Sequence, residues 1–432
     1  MVRNRSQERR TSVAFGAVAL TVAALLAACG GGDTGSGDAT SSAAPDANAV
    51  PASLVGMQVE GVEVEAWPSA PFGSLRLWDN GTAWSQIELS RGKYKWRNLD
   101  GAIANAESKG MHDILMVLGT TPTWAASKVT SPVYPPYPGA NSAPKNMADW
   151  DTWVTQVVTR YKGRITSYEI WNEANLKMFF NGTPAQMADM TKRAYDIIKA
   201  NDPEATVVSA SPSLRLKSAV DGFYTKYLAE LAKLDWPIDV LAMHTYPKAD
   251  GDPVARGALI AGAKAAITAA GAPATIPIWD TELNYGLAGP GDIPAQKIKG
   301  QKAAGWVVRT YIDDLRYGLA RSYWYIWTQK PYPLLGIQAY PGAPAEQGFF
   351  ALENWVVGSS FEGCTQTGDA VVCNFTRAGQ KSVVAWAETG TAAYTAPEGS
   401  TLLCDPAAKC TQVAGGSAVT LTEIPVRIYL QA

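Results

Sequence analysis

Histidine is nearly absent, with only His112 and His244 in 432 residues. That excludes a His-rich metal centre, and a Ser-His-Asp hydrolase would have to pair His244 with an activated serine. No Gly-x-Ser-x-Gly turn supplies one. Net charge is also lacking: 37 Lys and Arg against 39 Asp and Glu give a formal −2, and no basic stripe marks the chain beyond its N-terminal region. Nucleic acid is therefore not an expected partner. No Gly-rich phosphate loop follows the first apolar run, which argues against an open dinucleotide-binding sheet. No repeat of about 20–50 residues is visible. Neither a cofactor nor a metal is expected.

Cysteine is scarce and unevenly placed. Of five, one is Cys29 and the others, Cys364, Cys373, Cys404 and Cys410, all fall late in the chain. An even set in an oxidising compartment points to two disulfides, and pairing 364–373 with 404–410 is the simplest of three connectivities. Zinc competes, but the spacings are wrong for Cys-x2-Cys and no histidine lies nearby. Export also fits the N-terminus. Arg3, Arg5, Arg9 and Arg10 precede a nearly all small or apolar stretch from Val13 to Ala28. It is short for a membrane span and suits a secretory core. It ends Leu26-Ala27-Ala28-Cys29-Gly30, which resembles a bacterial lipobox, so residues 1–29 are expected to be a lipoprotein signal with Cys29 lipidated. Residues 30–51 are Gly, Ser, Ala, Thr, Asp and Pro, a flexible tether. An anchored, otherwise monomeric protein outside the cytoplasm is the expectation.

From residue 52 to 355 short apolar runs alternate with amphipathic helical stretches, the pattern of βαβ units. Eight strands are expected, at Leu54–Val59, Ser74–Trp78, Asp113–Leu118, Thr166–Trp171, Thr206–Ala210, Asp239–His244, Ile276–Thr281 and Arg321–Trp327. Helical patterns such as Asn98–Gly110, Met147–Lys162, Pro184–Asn201 and Ala295–Arg316 lie between them. Eight such units predict an α/β fold, a (β/α)8 TIM barrel. Residues 356–432 carry short alternating segments instead, a small antiparallel β domain.

In such a barrel the reactive side chains stand at the C-terminal strand ends. Those ends read Arg76-Leu77-Trp78-Asp79, Thr121-Pro122-Thr123-Trp124, Trp171-Asn172-Glu173, His244-Thr245-Tyr246, Asp280-Thr281-Glu282 and Trp324-Tyr325-Ile326-Trp327. Carboxylates, one His, one Arg and several aromatics form the set that glycosidic bond cleavage needs. The segment Glu169-Ile170-Trp171-Asn172-Glu173 resembles the acid/base motif of clan A glycoside hydrolases. Pro277-Ile278-Trp279-Asp280-Thr281-Glu282 falls on the strand where that clan keeps its nucleophile. The resemblance implies Glu173 as acid/base and Glu282 as nucleophile. It likewise implies that His244 and Tyr246 form the clan's His-x-Tyr pair, that Arg76 is its basic residue near the nucleophile, and that Trp327 is its sugar-stacking Trp. The stretch from Arg76 through Trp84, Glu88 and Trp96 to Asp100 looks most like family 39, with family 5 the runner-up. Ala174-Asn175 after Glu173 departs from the Pro-Asn of many members.

The implied activity is retaining hydrolysis of a β-linked poly- or oligosaccharide. The alternatives are a glycan-binding lipoprotein and a transglycosylase that remodels an exopolysaccharide. Arg76 and Tyr246 are expected to hold Glu282 ionised. Asn172 is expected on the sugar 2-hydroxyl, and His244 as an orienting group. Glu169, deeper on its strand, reads as a structural ion-pair partner, and Asp280, the nearest competitor to Glu282 on the same strand face, reads as packing a structural network below it. Asp79 and Glu88 are open between subsite and surface. Trp124, Tyr134 and Tyr137 flank the third strand and are read as a substrate subsite. Fifteen Trp and eighteen Tyr allow for such platforms, or for a core.

Overall fold

The computed structural model describes residues 48–132 and 136–431. The expected signal segment, Cys29 and Tyr134 lie outside the described residues, as does most of the tether. Among the described residues no helix is long and apolar enough to cross a membrane.

Eight strands follow the chain as β1 (Val55–Val59), β2 (Ser74–Leu77), β3 (Ile114–Val117), β4 (Ser167–Glu169), β5 (Thr206–Val208), β6 (Leu241–His244), β7 (Ile278–Leu283) and β8 (Arg321–Trp327). Each coincides with an expected strand. They pair in parallel in the order β5-β4-β3-β2-β1-β8-β7-β6. The ring is joined between β5 and β6 by a parallel bridge from Val208 to Val240 and by the Asp239 amide donating to the Val207 carbonyl at 2.8 Å. The (β/α)8 barrel is therefore as the sequence led us to expect.

Because side chains alternate across a strand, each strand serves two cores. Leu115, Val208, Val240, Ala242, Trp279 and Tyr323 pack together as one cluster, while Leu75, Leu77, Met116, Tyr168 and Met243 join the larger core shared with the helices. On β2 the position between Leu75 and Leu77 is Arg76, fully buried. A buried guanidinium is tolerated only with ionic partners, so its strand position alone demands carboxylates nearby.

The helices form where apolar residues recur on one face, and their ends are capped by local chemistry. Thr183 and Gln186 cap Pro184–Asn201 reciprocally, and Asp252 accepts from the Ala255 amide at the start of Pro253–Ala269. One boundary differs from the sequence reading. The helix before β8 begins at Gly300 rather than Ala295. The amides of Gln296 and Ile298 donate instead to the carbonyls of Gly286 and Gly336. These bonds tie the segment to the loops following β7 and β8, so it lies by the barrel mouth and cannot be helix.

The chain then runs through a helix at Pro344–Trp355 into antiparallel strands from Ser360 to Leu430, in one six-stranded and one two-stranded sheet. Cys364 pairs with Cys373 across one strand pair and Cys404 with Cys410 across another, both as disulfides. The simplest connectivity is the one adopted.

Candidate active site

The floor of the barrel mouth is built around Arg76. Its Nε donates to Glu169 Oε2 at 2.8 Å and its Nη2 to Glu169 Oε1 at 3.1 Å. The same Nη2 donates to Asn172 Oδ1 at 2.8 Å, and Nη1 to Glu282 Oε1 at 2.7 Å. One planar cation thus spans β4 and β7, a geometry lysine could not reproduce. Burial alone would lower the Arg76 pKa, but Glu169 and Glu282 more than offset it and the result is a raised value. With its Oδ1 engaged, Asn172 presents its amide nitrogen toward the pocket it lines.

Glu282 receives a second donor, the Tyr246 hydroxyl, at 2.9 Å from Oε2. Burial, and then the neighbouring Glu282, push the Tyr246 phenol well above its usual value, so it stays a donor. Glu173 follows Asn172 in a left-handed backbone conformation (φ 43°), uncommon for a residue with a Cβ. Its amide donates to the Ser211 hydroxyl oxygen at 3.3 Å. His244 Nδ1 lies 3.4 Å from Glu173 Oε1 and 3.5 Å from Glu282 Oε2, aligned as a hydrogen bond with neither. Those two oxygens can be no farther apart than the two legs laid end to end. This leaves only the low edge of the ~6.5–9.5 Å range of inverting glycosidases and embraces the ~5–5.5 Å of retaining ones.

His244 is itself fully buried. Burial works to discharge the ring, and Arg76 does too, but Glu282 and Glu173 outweigh them and its pKa is raised. Glu169 at 3.9 Å and Thr281 at 3.1 Å face its Nε2, and the Tyr246 ring stands edge-on to it. Because the folded value is above the unfolded one, the ring's charge contributes stability fully below the unfolded pKa of about 6.5, and that contribution is lost as pH rises through the folded value. The Tm gap between wild type and His244→Gln is expected to be larger at pH 6 than at pH 9, measured by thermal unfolding. An equal gap at both would show an uncharged ring.

Asp280 does not compete with Glu282. Strict alternation would put both on one face, but the β6–β7 and β7–β8 pairings shift register next to Asp280. Asp280 turns instead toward the helix layer. It accepts from Arg256 Nη2 at 2.8 Å, from the Thr245 amide at 3.2 Å and from the Thr245 hydroxyl. Burial pushes its carboxyl up to about 6 despite Arg256.

The mouth is a cavity of about 600 Å³ lined by Asn172, Glu173, Tyr246 and Glu282 among others. Three aromatic expectations need correction. Trp327 is fully buried in the core and does not line this cavity. Tyr325, on the same strand, does line it, edge-on to Tyr246 with centroids 6.4 Å apart. Trp124 is also not a wall residue. Its Nε1 donates to the Glu88 carbonyl at 2.7 Å, and its ring lies under Arg91 and beside Trp84. Tyr137 is half-buried outside the cavity. Glu88 is buried and structural, accepting from Trp84 Nε1 and the Gly92 amide, each at 2.7 Å. Asp79 lines the cavity, where it is hydrogen-bonded with Tyr325. The sequence reading named Tyr325 only within the β8 end segment and did not include Glu60, Arg215 or Tyr332, all wall residues. Each sits in a loop or strand end with no periodic signal. Position after a strand was the only clue to them.

Glu282, held by Arg76 and Tyr246, and Glu173 face His244 at the C-terminal mouth of a (β/α)8 barrel, an arrangement similar to that of clan A glycoside hydrolases. Residues 57–255, just under half of the chain, match the sequence profile of glycosyl hydrolase family 10. No curated protein sequence matches the chain. Among solved structures, a family 39 glycoside hydrolase from the gut symbiont Bacteroides cellulosilyticus WH2 has a TM-score of 0.64 at 18% identity, over 88% of this chain and 81% of that one. A monomeric beta-xylosidase from Caulobacter crescentus CB15 has 0.59 at 16% identity, over 89% and 97%. A family 30 endoxylanase from Clostridium papyrosolvens C71 has 0.55 at 13% identity, over 89% and 98%. At these identities the likeness is one of fold.

Proposed function

We propose that the protein is a retaining glycosidase that cleaves a β-linked glycoside outside the cytoplasm, with Glu282 as nucleophile and Glu173 as acid/base. The carrying observation is the asymmetry of the pair around His244 Nδ1. Glu282 is held by Arg76 at 2.7 Å and Tyr246 at 2.9 Å, two donors that fix its carboxylate for attack. Glu173 accepts from neither of these two donors, and only His244 Nδ1, 3.4 Å from its Oε1, stands close to both carboxylates, which leaves Glu173 as the group to protonate the leaving oxygen.

In the first step a Glu282 oxygen bonds to the anomeric carbon as the glycosidic C–O bond breaks, and Glu173 gives its proton to the departing oxygen. In the second, Glu173 takes a proton from water. The water oxygen bonds to the anomeric carbon and Glu282 leaves as a carboxylate. Tyr246 and Arg76 steady Glu282 throughout, and the free amide of Asn172 is placed to donate to the sugar.

The test is a panel of polysaccharides and aryl glycosides, with Glu173→Ala alongside wild type. The variant is expected to lose about 100-fold or more on unactivated substrates and far less on dinitrophenyl glycosides, whose leaving group needs no proton. Azide should accelerate it and yield a glycosyl azide of retained configuration. Equal losses on both substrate types, with no azide product, would remove Glu173 from this role.

Export and anchoring are supported by the basic and apolar N-terminal segment ending at Cys29 and by the two disulfides. Metabolic labelling with palmitate is expected to mark the wild type and to miss Cys29→Ala. Label on the variant would overturn the lipidation.

A further inference from the structure

The cavity wall is uneven in polarity. Toward β1, β2 and β8 it offers Glu60, Asp79, Tyr325, Tyr332 and Thr328, together with the apolar Trp78, Ile326, Leu334 and Leu335. The carboxylates and hydroxyls among them suit sugar hydroxyl groups. The loops after β4, β5 and β7 supply Leu176, Met178, Phe179, Leu216, Leu287 and Pro290. None of these side chains can hydrogen-bond. Ser213 and Arg215 are the polar exceptions on that side: Arg215 Nη1 and Nη2 donate to the carbonyls of Leu287 at 2.8 Å, Ala288 at 3.1 Å and Gly289, while its buried Nε has no hydrogen-bond partner. Arg215 therefore pins the β7 loop in place as part of the apolar wall.

Several of the apolar side chains are open to water. Leu334, from the loop after β8, is 53% exposed, Leu216 39% and Met178 38%. All three line this one mouth. A cluster of exposed hydrocarbon at the rim of a cleft marks a surface that binds something apolar. The apolar segment begins three residues after Glu173 at Leu176, whose amide donates to the Glu173 carbonyl at 2.9 Å. It therefore flanks the group that protonates the leaving oxygen. The part of the substrate that departs from Glu173 must lie along it.

We infer that the preferred substrate is a glycoside whose leaving group is an apolar aglycone, an alkyl or lipid chain, rather than a further sugar of a polysaccharide. The inference rests on the catalytic roles proposed above for Glu173 and Glu282. A sugar in the leaving-group position would place its hydroxyl groups against leucine, methionine and proline, which return no hydrogen bonds for those lost to water. A hydrocarbon chain there covers the exposed leucines and the methionine and gains by its own burial.

The experiment uses alkyl β-glycosides, methyl to octyl, of whichever sugar is released fastest from a p-nitrophenyl glycoside panel, all below their micelle concentrations. The expected result for the wild type is a KM that falls with chain length, by about 30-fold or more from methyl to octyl. In a Leu216→Ser/Leu334→Ser variant the octyl-to-methyl ratio of kcat/KM is expected to fall by about tenfold or more. Folding of the variant is checked by its thermal unfolding and its circular dichroism. A wild-type ratio within about twofold of unity overturns the inference, as does a variant ratio equal to the wild type's. So does a soluble polysaccharide cleaved with a kcat/KM well above that of the octyl glycoside. These outcomes leave the catalytic reading intact, whereas no turnover of any glycoside or polysaccharide would mean that the catalytic reading itself has failed.

Discussion

Glu282→Ala is expected to lower hydrolysis by about ten-thousand-fold or more, the scale seen when an essential member of a catalytic set is removed. The physical reason is that no neighbour can take over. Asp280, two residues away, is turned to Arg256 and Thr245 in the helix layer. Glu169 is held by two nitrogens of Arg76 beneath the floor, with no exposure to the cavity. Removing the carboxylate also opens a small space between Arg76 Nη1 and the Tyr246 hydroxyl, the two donors that held it. An added azide ion fits the charge of that space. It should partly restore turnover and give a glycosyl azide of inverted configuration, because it attacks from the face Glu282 used. The opposite product configuration in Glu173→Ala then distinguishes the two carboxylates within one experiment. Full activity in Glu282→Ala, or retained configuration in its azide product, would sink the nucleophile assignment.

Arg76→Met is expected to be the most damaging single change to stability in the site. The methionine fills much of the space but supplies no donor, leaving Glu169 and Glu282 as buried carboxylates with their cation gone. Breaking one side of a buried ionic cluster costs about 3–5 kcal/mol, because the remaining charges are left uncompensated. Thermal unfolding should show a lowered Tm, and activity should fall with it. Arg76→Lys is expected to recover only part of either, since one ammonium cannot serve Glu169, Asn172 and Glu282 together as the guanidinium does. Adding Glu169→Gln to Arg76→Met removes one orphaned charge, and should return about 1–3 kcal/mol relative to the single variant. No recovery in the double variant would mean that the loss comes from packing rather than charge.

The barrel was legible because eight apolar runs separated by amphipathic stretches admit few arrangements, and every run became a strand. Glu173 was legible because Trp171-Asn172-Glu173 sits where β4 ends, and the disulfides because four late cysteines had short-range partners. Glu282 was preferred to Asp280 from its place at the strand end. The register shifts in the β6–β7 and β7–β8 pairings, which no residue announces, are what separate the two side chains. The aromatic wall was misplaced for a related reason. Trp327 and Tyr325 lie on one strand two residues apart, and which ring enters the cavity is set by how the strand end meets its neighbours.

The sequence by itself determined the fold class and the inventory of candidate catalytic groups, since periodicity and residue type are local properties of the chain. Tertiary structure decided that Arg76 bridges β4 and β7, that His244 faces both carboxylates, and that apolar loop residues such as Leu176, Met178 and Leu216 line the mouth with Glu173. These follow from loops distant in sequence meeting at one barrel mouth. A loop residue carries no periodic record of the neighbour it will touch.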